Sequence, residues 1–273
     1  MNERKQVRFV GSIPEIYDRV LGRFLFDYYA RDLAGRLQVP KGGRVLEIAC
    51  GTGISTEYAR GVLDPSISIT ATDLNPPMLE HAEATRGHLA GVTFSQADAQ
   101  ELPFGDGEFD ALLCQFGVMF LPDKPLGFGE FFRVLKPGGM LAFNVWDSLE
   151  RNPIVGLAFE TIFGFFESDP PQFLAVPFGW NDHEVIRSHV EAAGFDEIAL
   201  QEVAHEGSHP SAADLAVGMV KGNSTILEIE ERGTASADEV VAALAEKCVR
   251  ATATIRFARR CKQSSPQRAA QNN

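Results

Sequence analysis

The sequence predicts an α/β fold of the doubly wound type, a mostly parallel sheet with helices packed on both faces. Three observations predict it. Between residues 44 and 146 short apolar runs of strand length alternate with helix-length segments. One apolar run, Val45-Leu46-Glu47-Ile48, enters a glycine turn, Ala49-Cys50-Gly51-Thr52-Gly53. Twenty residues after Gly53, Asp73 ends the next apolar run, Ile69-Thr70-Ala71-Thr72. Strand, glycine turn, helix and a second strand closed by an acid form one half of a doubly wound sheet.

Each element follows from local pattern. Ile13, Ile16, Tyr17, Val20, Leu21, Phe24, Leu25, Tyr28, Leu33 and Leu37 recur at three- and four-residue steps, which paints one face of an N-terminal helix. Ser12-Ile13-Pro14-Glu15 has the spacing of a capping box, and Gly22 is a candidate break within the run. Pro40, Gly42 and Gly43 end it. Strands are expected near 44–49, 67–72, 92–96, 109–114 and 139–145, and helices near 54–61, 76–87 and 124–135. Asn75 is placed to cap the helix that Pro76 opens, and Gly138-Gly139 after Lys136-Pro137 to stop the helix before the fifth strand.

Beyond residue 146 the alternation loosens. Residues 152–167 are apolar and rich in phenylalanine, and Asp169-Pro170-Pro171 ends them. Asn181 with Glu184 marks a helix start, Gly194 its end, and a sixth strand is expected near 197–204. Residues 211–249 read as helical, with an acidic patch at Glu228, Glu230 and Glu231. Thr252, Thr254 and Arg256 alternate with Ala253, Ile255 and Phe257, which predicts a last strand and brings the sheet to seven. The polar tail from Gln263 to Asn273 is expected to be disordered. No internal repeat is present.

Composition bounds the function. A chain of 273 residues with 45% apolar content supports one sizeable core with appended elements. Its 25 Lys and Arg against 37 Asp and Glu give a net charge of −12, which opposes non-specific contact with nucleic acid or anionic membrane. No apolar run approaches the ~20 residues of a membrane span, and Met1 to Arg8 leads into no signal-like core. Cys50, Cys114, Cys248 and Cys261 lie far apart without a CxxC pair, so reduced thiols and a cytoplasmic location are expected. Nothing in the sequence fixes an oligomeric state.

The residues around the glycines narrow the ligand. A dinucleotide fingerprint wants a third glycine where Thr56 stands, and Gly53-Ile54-Ser55 fails the ending of a phosphate-binding P-loop. A lone glycine turn remains a weak signal, since a strand–helix turn can need glycine for backbone geometry alone.

Five blocks in order carry a resemblance. Val45 to Gly53 resembles motif I of the class I S-adenosylmethionine-dependent methyltransferases, with Ala49 in place of the first glycine. Ala71-Thr72-Asp73-Leu74-Asn75-Pro76-Pro77-Met78-Leu79 resembles the next motif, and Gln96 to Ala99 through Leu102-Pro103-Phe104 and Phe109-Asp110 the third. Cys114 to Asp123 and Arg133-Val134-Leu135-Lys136-Pro137-Gly138-Gly139 complete the set. The match is similar to the subgroup related to ubiquinone and menaquinone biosynthesis methyltransferases, and Tyr17-Asp18 resembles that subgroup's N-terminal segment.

The resemblance implies S-adenosyl-L-methionine as cofactor, S-adenosyl-L-homocysteine as product, and an antiparallel last strand. It places Asp73 on the ribose hydroxyls, Asp98 and the Ala99 N–H on the adenine edge, and Leu74 and Met78 against the adenine ring. Ala49, Gly51 and Gly53, with Thr52 between them, would meet the methionine end, with Glu47 orienting the loop or reaching the ammonium through water. Tyr17, Gln115 and Phe116 complete the cofactor set. The sulfonium activates the methyl carbon, so in-line placement and exclusion of water carry most of the catalysis. His81, His88, His183 and His189 fall in predicted helices and read as surface residues, while His205 and His209 follow the sixth strand and are candidates for a base near the pocket. No catalytic residue is assigned, and no metal spacing is present.

On this reading residues 1–38 form an N-terminal helical segment over the site and 39–148 the cofactor-binding core. Residues 149–181 form a lid, 182–204 a core helix and strand, 205–249 a helical insertion, 250–262 the last core strand and 263–273 the tail. The acceptor pocket is expected over the strand ends, walled by Tyr17, Phe24 and Tyr28, by residues 152–181 and by the insertion, with Phe120, Trp146, Phe178 and Trp180 as its aromatics. The expected acceptor is a small, mainly apolar molecule methylated at carbon, oxygen or nitrogen. An RNA or protein methyltransferase and a non-catalytic S-adenosylmethionine-binding protein are the alternatives. Cys114-Gln115-Phe116-Gly117 lacks the signature of amino-group nucleic-acid methylation, although residues 250–273 hold six basic residues and no acid.

Overall fold

Strands with apolar side chains on both faces need cover on both sides. The computed structural model, which describes residues 9–207, 209–250, 255–256 and 260–264, provides it. Five parallel strands run in the order β3 (Val92–Gln96), β2 (Ser68–Asp73), β1 (Arg44–Ile48), β4 (Phe109–Gln115), β5 (Leu135–Asn144). Leu46, Ile48, Leu112 and Phe143 pack on one face and Val45, Ile69, Leu113 and Ala142 on the other. The chain reverses its winding between β1 and β4, and their C-terminal ends open the crevice where such sheets bind ligands.

The N-terminal helix lies across that crevice. It begins as α1 (Ile13–Ile16), continues as a π-helix over Tyr17–Phe26 and ends as α2 (Asp27–Ala34). Gly22 does not break it. An added Cβ there would meet Ile54 Cδ1 at 2.9 Å, so the glycine lets this helix pack closely on the helix after β1. π-winding also changes which residues share a face. Nine residues of α-helix turn through two and a half turns and end on opposite sides. At roughly 4.4 residues per π-turn they come close to two whole turns. Tyr17 and Phe26 accordingly stack, with ring centroids 4.8 Å apart and planes at 19°.

Between the strands lie α3 (Ile54–Val62), α4 (Pro76–Arg86) and α5 (Lys124–Val134). After β5 follow α6 (Pro153–Phe163), α7 (His183–Ala192), β6 (Asp196–Gln201) and the two-residue β7 (Glu206–Gly207). The helices α8 (Ala212–Lys221), α9 (Thr225–Arg232) and α10 (Ala237–Arg250) come next. No helix among the described residues is long and apolar enough to cross a membrane. Cys50, Cys114 and Cys248 are free, buried thiols.

Several local expectations are corrected. Ser12 and Asn75 make no side-chain cap; Asn75 instead donates its side-chain amide to Asp73 Oδ1. Asp182, not Asn181, caps α7, because Asn181 turns back to the Phe178 carbonyl. Helix α5 stops at Val134, and Leu135 already pairs with Phe109, so Lys136-Pro137-Gly138-Gly139 lies within β5 and not at the helix end. Within the expected last strand, Ile255–Arg256 (β8) pairs with β7, and the strand beside β5 is β9 (Arg260–Ser264). Residues 251–254 and 257–259 and the tail beyond Ser264 lie outside the described residues.

Candidate functional site

The crevice holds a cavity of about 370 Å³ at the C-terminal ends of β1, β2 and β4. Its floor is main chain in unusual conformations. After β1, Ala49 and Gly51 adopt φ of +52° and +57°; after β4, Phe116 adopts +50°. Such angles cost a non-glycine residue energy and persist where neighbours enforce them. At Phe116 the enforcing neighbour is Asn144, buried at the end of β5, whose Oδ1 accepts the Phe116 N–H at 2.9 Å. Gly117 lets the two loops touch, since a Cβ there would lie 2.6 Å from Ala49 Cβ and 2.7 Å from Cys114 Sγ.

Asp73 ties the first loop to the second strand. Its Oδ2 accepts the Gly51 N–H at 2.9 Å and its Oδ1 the Asn75 N–H at 2.8 Å. Burial pushes its carboxyl above the usual range, and the main-chain donors pull it back. Gln115 donates Nε2 to the Phe26 carbonyl at 3.1 Å, while its Oε1 is buried with no hydrogen-bond partner. A buried amide oxygen without a donor is costly, and it marks a place for a ligand N–H.

Of the thirteen residues expected at the cofactor, ten line this cavity: Tyr17, Ala49, Gly51, Asp73, Leu74, Met78, Asp98, Ala99, Gln115 and Phe116. Three do not. Glu47 is fully buried beneath the loop, where Ser55 donates to its carboxylate, and burial pushes it up to about 7. Thr52 turns its hydroxyl to Asp18, at 2.9 Å. Gly53 faces α4, where a Cβ would lie 2.9 Å from Arg86 Cδ. Asp98 lines the wall and also holds its own turn, accepting the Gln100 N–H at 2.8 Å. Sequence reading missed Phe9, Asn75, Gln100 and Leu121. Asn75 was signalled by its place after the acid; Phe9 carries no local signal.

A smaller cavity of about 80 Å³ adjoins the first and shares Phe9, Tyr17, Phe116 and Phe120 with it. Its walls come from the three expected segments: the N-terminal helix (Leu21, Leu25, Phe26), residues 155–178 (Phe173, Leu174, Phe178) and α8 with the turn after it (Met219, Asn223). Phe116 stacks flat on Trp146, centroids 3.8 Å apart. Tyr17, between the cavities, has its hydroxyl pushed well above the usual phenol range by burial and by nearby Asp73 and Asp18.

Other candidates lie elsewhere. Trp180 packs on Phe128 and lies over Lys124 Nζ, 5.2 Å from its ring. Phe24 meets His209, and the exposed Tyr28 stacks on His205, so neither phenyl ring nor either histidine lines the two cavities. Burial draws His205 down from its ordinary value. His88 is exposed as expected, but His81 is half-buried, with Nε2 3.4 Å from Asp18 Oδ2. Among the described residues no cluster of His, Cys, Asp and Glu could hold a metal.

The comparisons with known proteins agree with this geometry. Residues 46–143 match a methyltransferase domain family. Over 198 residues the chain is 31% identical to the ubiquinone/menaquinone biosynthesis C-methyltransferase UbiE of Idiomarina loihiensis, covering 66% of this chain and 75% of that one. It is 28% identical over 214 residues to a demethylmenaquinone methyltransferase of Staphylococcus carnosus, covering 73% and 88%. A phosphoethanolamine N-methyltransferase 2 of Haemonchus contortus, solved with S-adenosylhomocysteine, shares the fold at a TM-score of 0.58 and 17% identity, over 93% of this chain and 57% of that one. The chain belongs to the class I S-adenosylmethionine-dependent methyltransferases, in the group related to UbiE, and S-adenosylmethionine is its cofactor.

Proposed function

We propose that the larger cavity holds S-adenosylmethionine and that its methyl group passes in line to a carbon, oxygen or nitrogen of a small, mainly apolar acceptor whose reacting end enters the smaller cavity. The observation that carries this reading is the aromatic cavity opening off the first through shared walls at Tyr17, Phe116 and Phe120. When bound, the cofactor supplies a methyl carbon activated by a positively charged leaving group.

The residues fit that group. Asp73, poor in solvent and held by two main-chain N–H groups, receives the ribose hydroxyls. Leu74 and Met78 sandwich the adenine, Asp98 and the Ala99 N–H read its edge, and Ala49 and Gly51 leave the methionine end room at the main chain. Gln115 Oε1 accepts from the ammonium. Glu47, Thr52 and Gly53 act behind the loop, setting its shape. Tyr17, Phe116 and Trp146 exclude water and orient the acceptor, a placement that can supply roughly 7–11 kcal/mol of the barrier. No histidine is assigned as base.

Residues 149–181 serve as a lid and 205–249 as an insertion completing the acceptor wall, while the last core strand is β9 (Arg260–Ser264), across the expected boundary at residue 262. A seven-stranded sheet closed by an antiparallel strand is supported by β9, which pairs antiparallel with β5 and β6. The absence of a nucleic-acid partner is supported by the net charge of −12, and a cytoplasmic location by the free thiols of Cys50, Cys114 and Cys248. The test is methyl transfer from labelled cofactor to quinols, phenols and amines beside transfer RNA and whole-cell protein. Label entering only RNA or protein would overturn the small-acceptor reading.

A further inference from the structure

Behind the cofactor cavity, five side chains from four segments meet. Asp18 stands on the π-helical stretch, next to the cavity-lining Tyr17. Its Oδ1 accepts the Thr52 hydroxyl at 2.9 Å and lies 3.1 Å from Arg86 Nη1, and its Oδ2 lies 3.4 Å from His81 Nε2. Arg86 donates Nη1 to the Thr52 carbonyl at 2.9 Å and Nε to Glu57 Oε2 at 3.0 Å. The arginine is only 12% exposed and Asp18 20%, so these bonds are shielded from much of the competition that weakens surface pairs. Arg86 also lies along Gly53, whose φ of +86° disfavours any other residue and where an added Cβ would lie 2.9 Å from Arg86 Cδ.

The far end of the same stretch is tied as well. The Phe26 carbonyl accepts Gln115 Nε2, where the helix changes from π- to α-winding. One helical arm is thus pinned at one end to the loop after β1 and at the other to the end of β4. Beside the first pin it presents Tyr17 to both cavities, and from there to the second pin it presents Leu21, Leu25 and Phe26 to the smaller one.

We infer that Asp18 is a positioning residue for methyl transfer: by holding Thr52 and Arg86 it clamps the π-helical arm over both cavities, so cofactor affinity and the acceptor wall are set together. The inference rests on the assignment of the larger cavity to the cofactor. Asp18 touches no reacting atom; it acts through Tyr17 and through the loop at Thr52.

The test is calorimetric binding of S-adenosylhomocysteine to the full chain and to Asp18→Asn, Thr52→Val and their double variant, at a temperature well below each melting point. A tie serving stability alone would lower the melting point and leave affinity unmoved at that temperature. The expected result is about tenfold weaker binding in each single variant, near 1.4 kcal/mol, with the double variant no weaker than Asp18→Asn alone. Unchanged affinity in Asp18→Asn overturns the clamp, and unchanged affinity in Thr52→Val or additive losses overturn its route through Thr52. Should Asp18→Asn fail to fold, Thr52→Val alone decides, by the same tenfold loss or its absence. Asp73→Ala separates the two readings: full affinity there sinks the cavity assignment, whereas lost affinity there with Asp18→Asn unmoved sinks only the clamp.

Discussion

The two adjoining cavities are built in different ways. The larger is shaped by main chain: three residues at positive φ, a glycine that lets two loops touch, and one carboxylate holding two N–H groups. The smaller is shaped by side chains from the N-terminal helix, from residues 155–178 and from α8, and its surface is almost wholly aromatic or aliphatic. A main-chain cradle keeps its form through changes in surrounding side chains. A side-chain wall is re-cut by each substitution, which suits the half of the site proposed to select the acceptor.

Substitutions that separate the halves test this contrast. The largest effect is expected from Asp73→Ala, which removes both the ribose acceptor and the anchor of the Gly51 loop. Cofactor affinity should fall roughly a thousandfold, about 4 kcal/mol, as read by calorimetry with S-adenosylhomocysteine. A loss under tenfold would mean that the main-chain cradle alone suffices.

Next in size is a pH effect confined to the cofactor half. Glu47 is held at about 7 against an ordinary 4.5, with burial as the cause. The folded state binds its proton more tightly than the unfolded chain does. Its contribution to stability is therefore full below pH 4.5 and lost as pH rises through 7. Glu47→Gln, which keeps an acceptor for Ser55, should raise the stability of the unliganded chain above pH 7 by up to about 3 kcal/mol, with no gain below pH 4.5. Thermal melts of both forms across that range check it, and a gain independent of pH would rule out the charge as its source.

The smallest effect is expected on the acceptor side. Phe178 lines only the smaller cavity, so Phe178→Leu should raise the acceptor KM several-fold, about 1 kcal/mol, and leave S-adenosylhomocysteine affinity unchanged. Equal changes in both constants would join the two cavities into one functional unit.

What could be read from the sequence follows the same division. The half proposed to hold the cofactor lies in contiguous blocks, because a strand, its turn and the next strand's acid are close in sequence as well as in space. Asp73, Leu74, Met78, Asp98 and Gln115, named from those blocks, accordingly line one cavity. Glu47, Thr52 and Gly53 do not line the cavity, because a motif names positions, not the direction each side chain takes from a tightly wound loop. The acceptor half depends on three distant segments meeting. Its walls could be named by segment, but periodicity could not tell that Trp180 would pack on Phe128, or that Tyr28 would turn out to His205. Caps failed where a side chain had a stronger partner, as Asn75 has in Asp73.

The π-winding of Tyr17–Phe26 makes chain length part of this design. Its apolar steps fit an ordinary helix, and substitutions that keep those steps leave the winding open to either form. A one-residue deletion does not. It would let the stretch relax to α-winding, and Tyr17 and Phe26, then eight residues apart, would be turned about 80° from one another round the axis and lose their direct stack. The arm over the two cavities should tolerate many single replacements and almost no change in residue count.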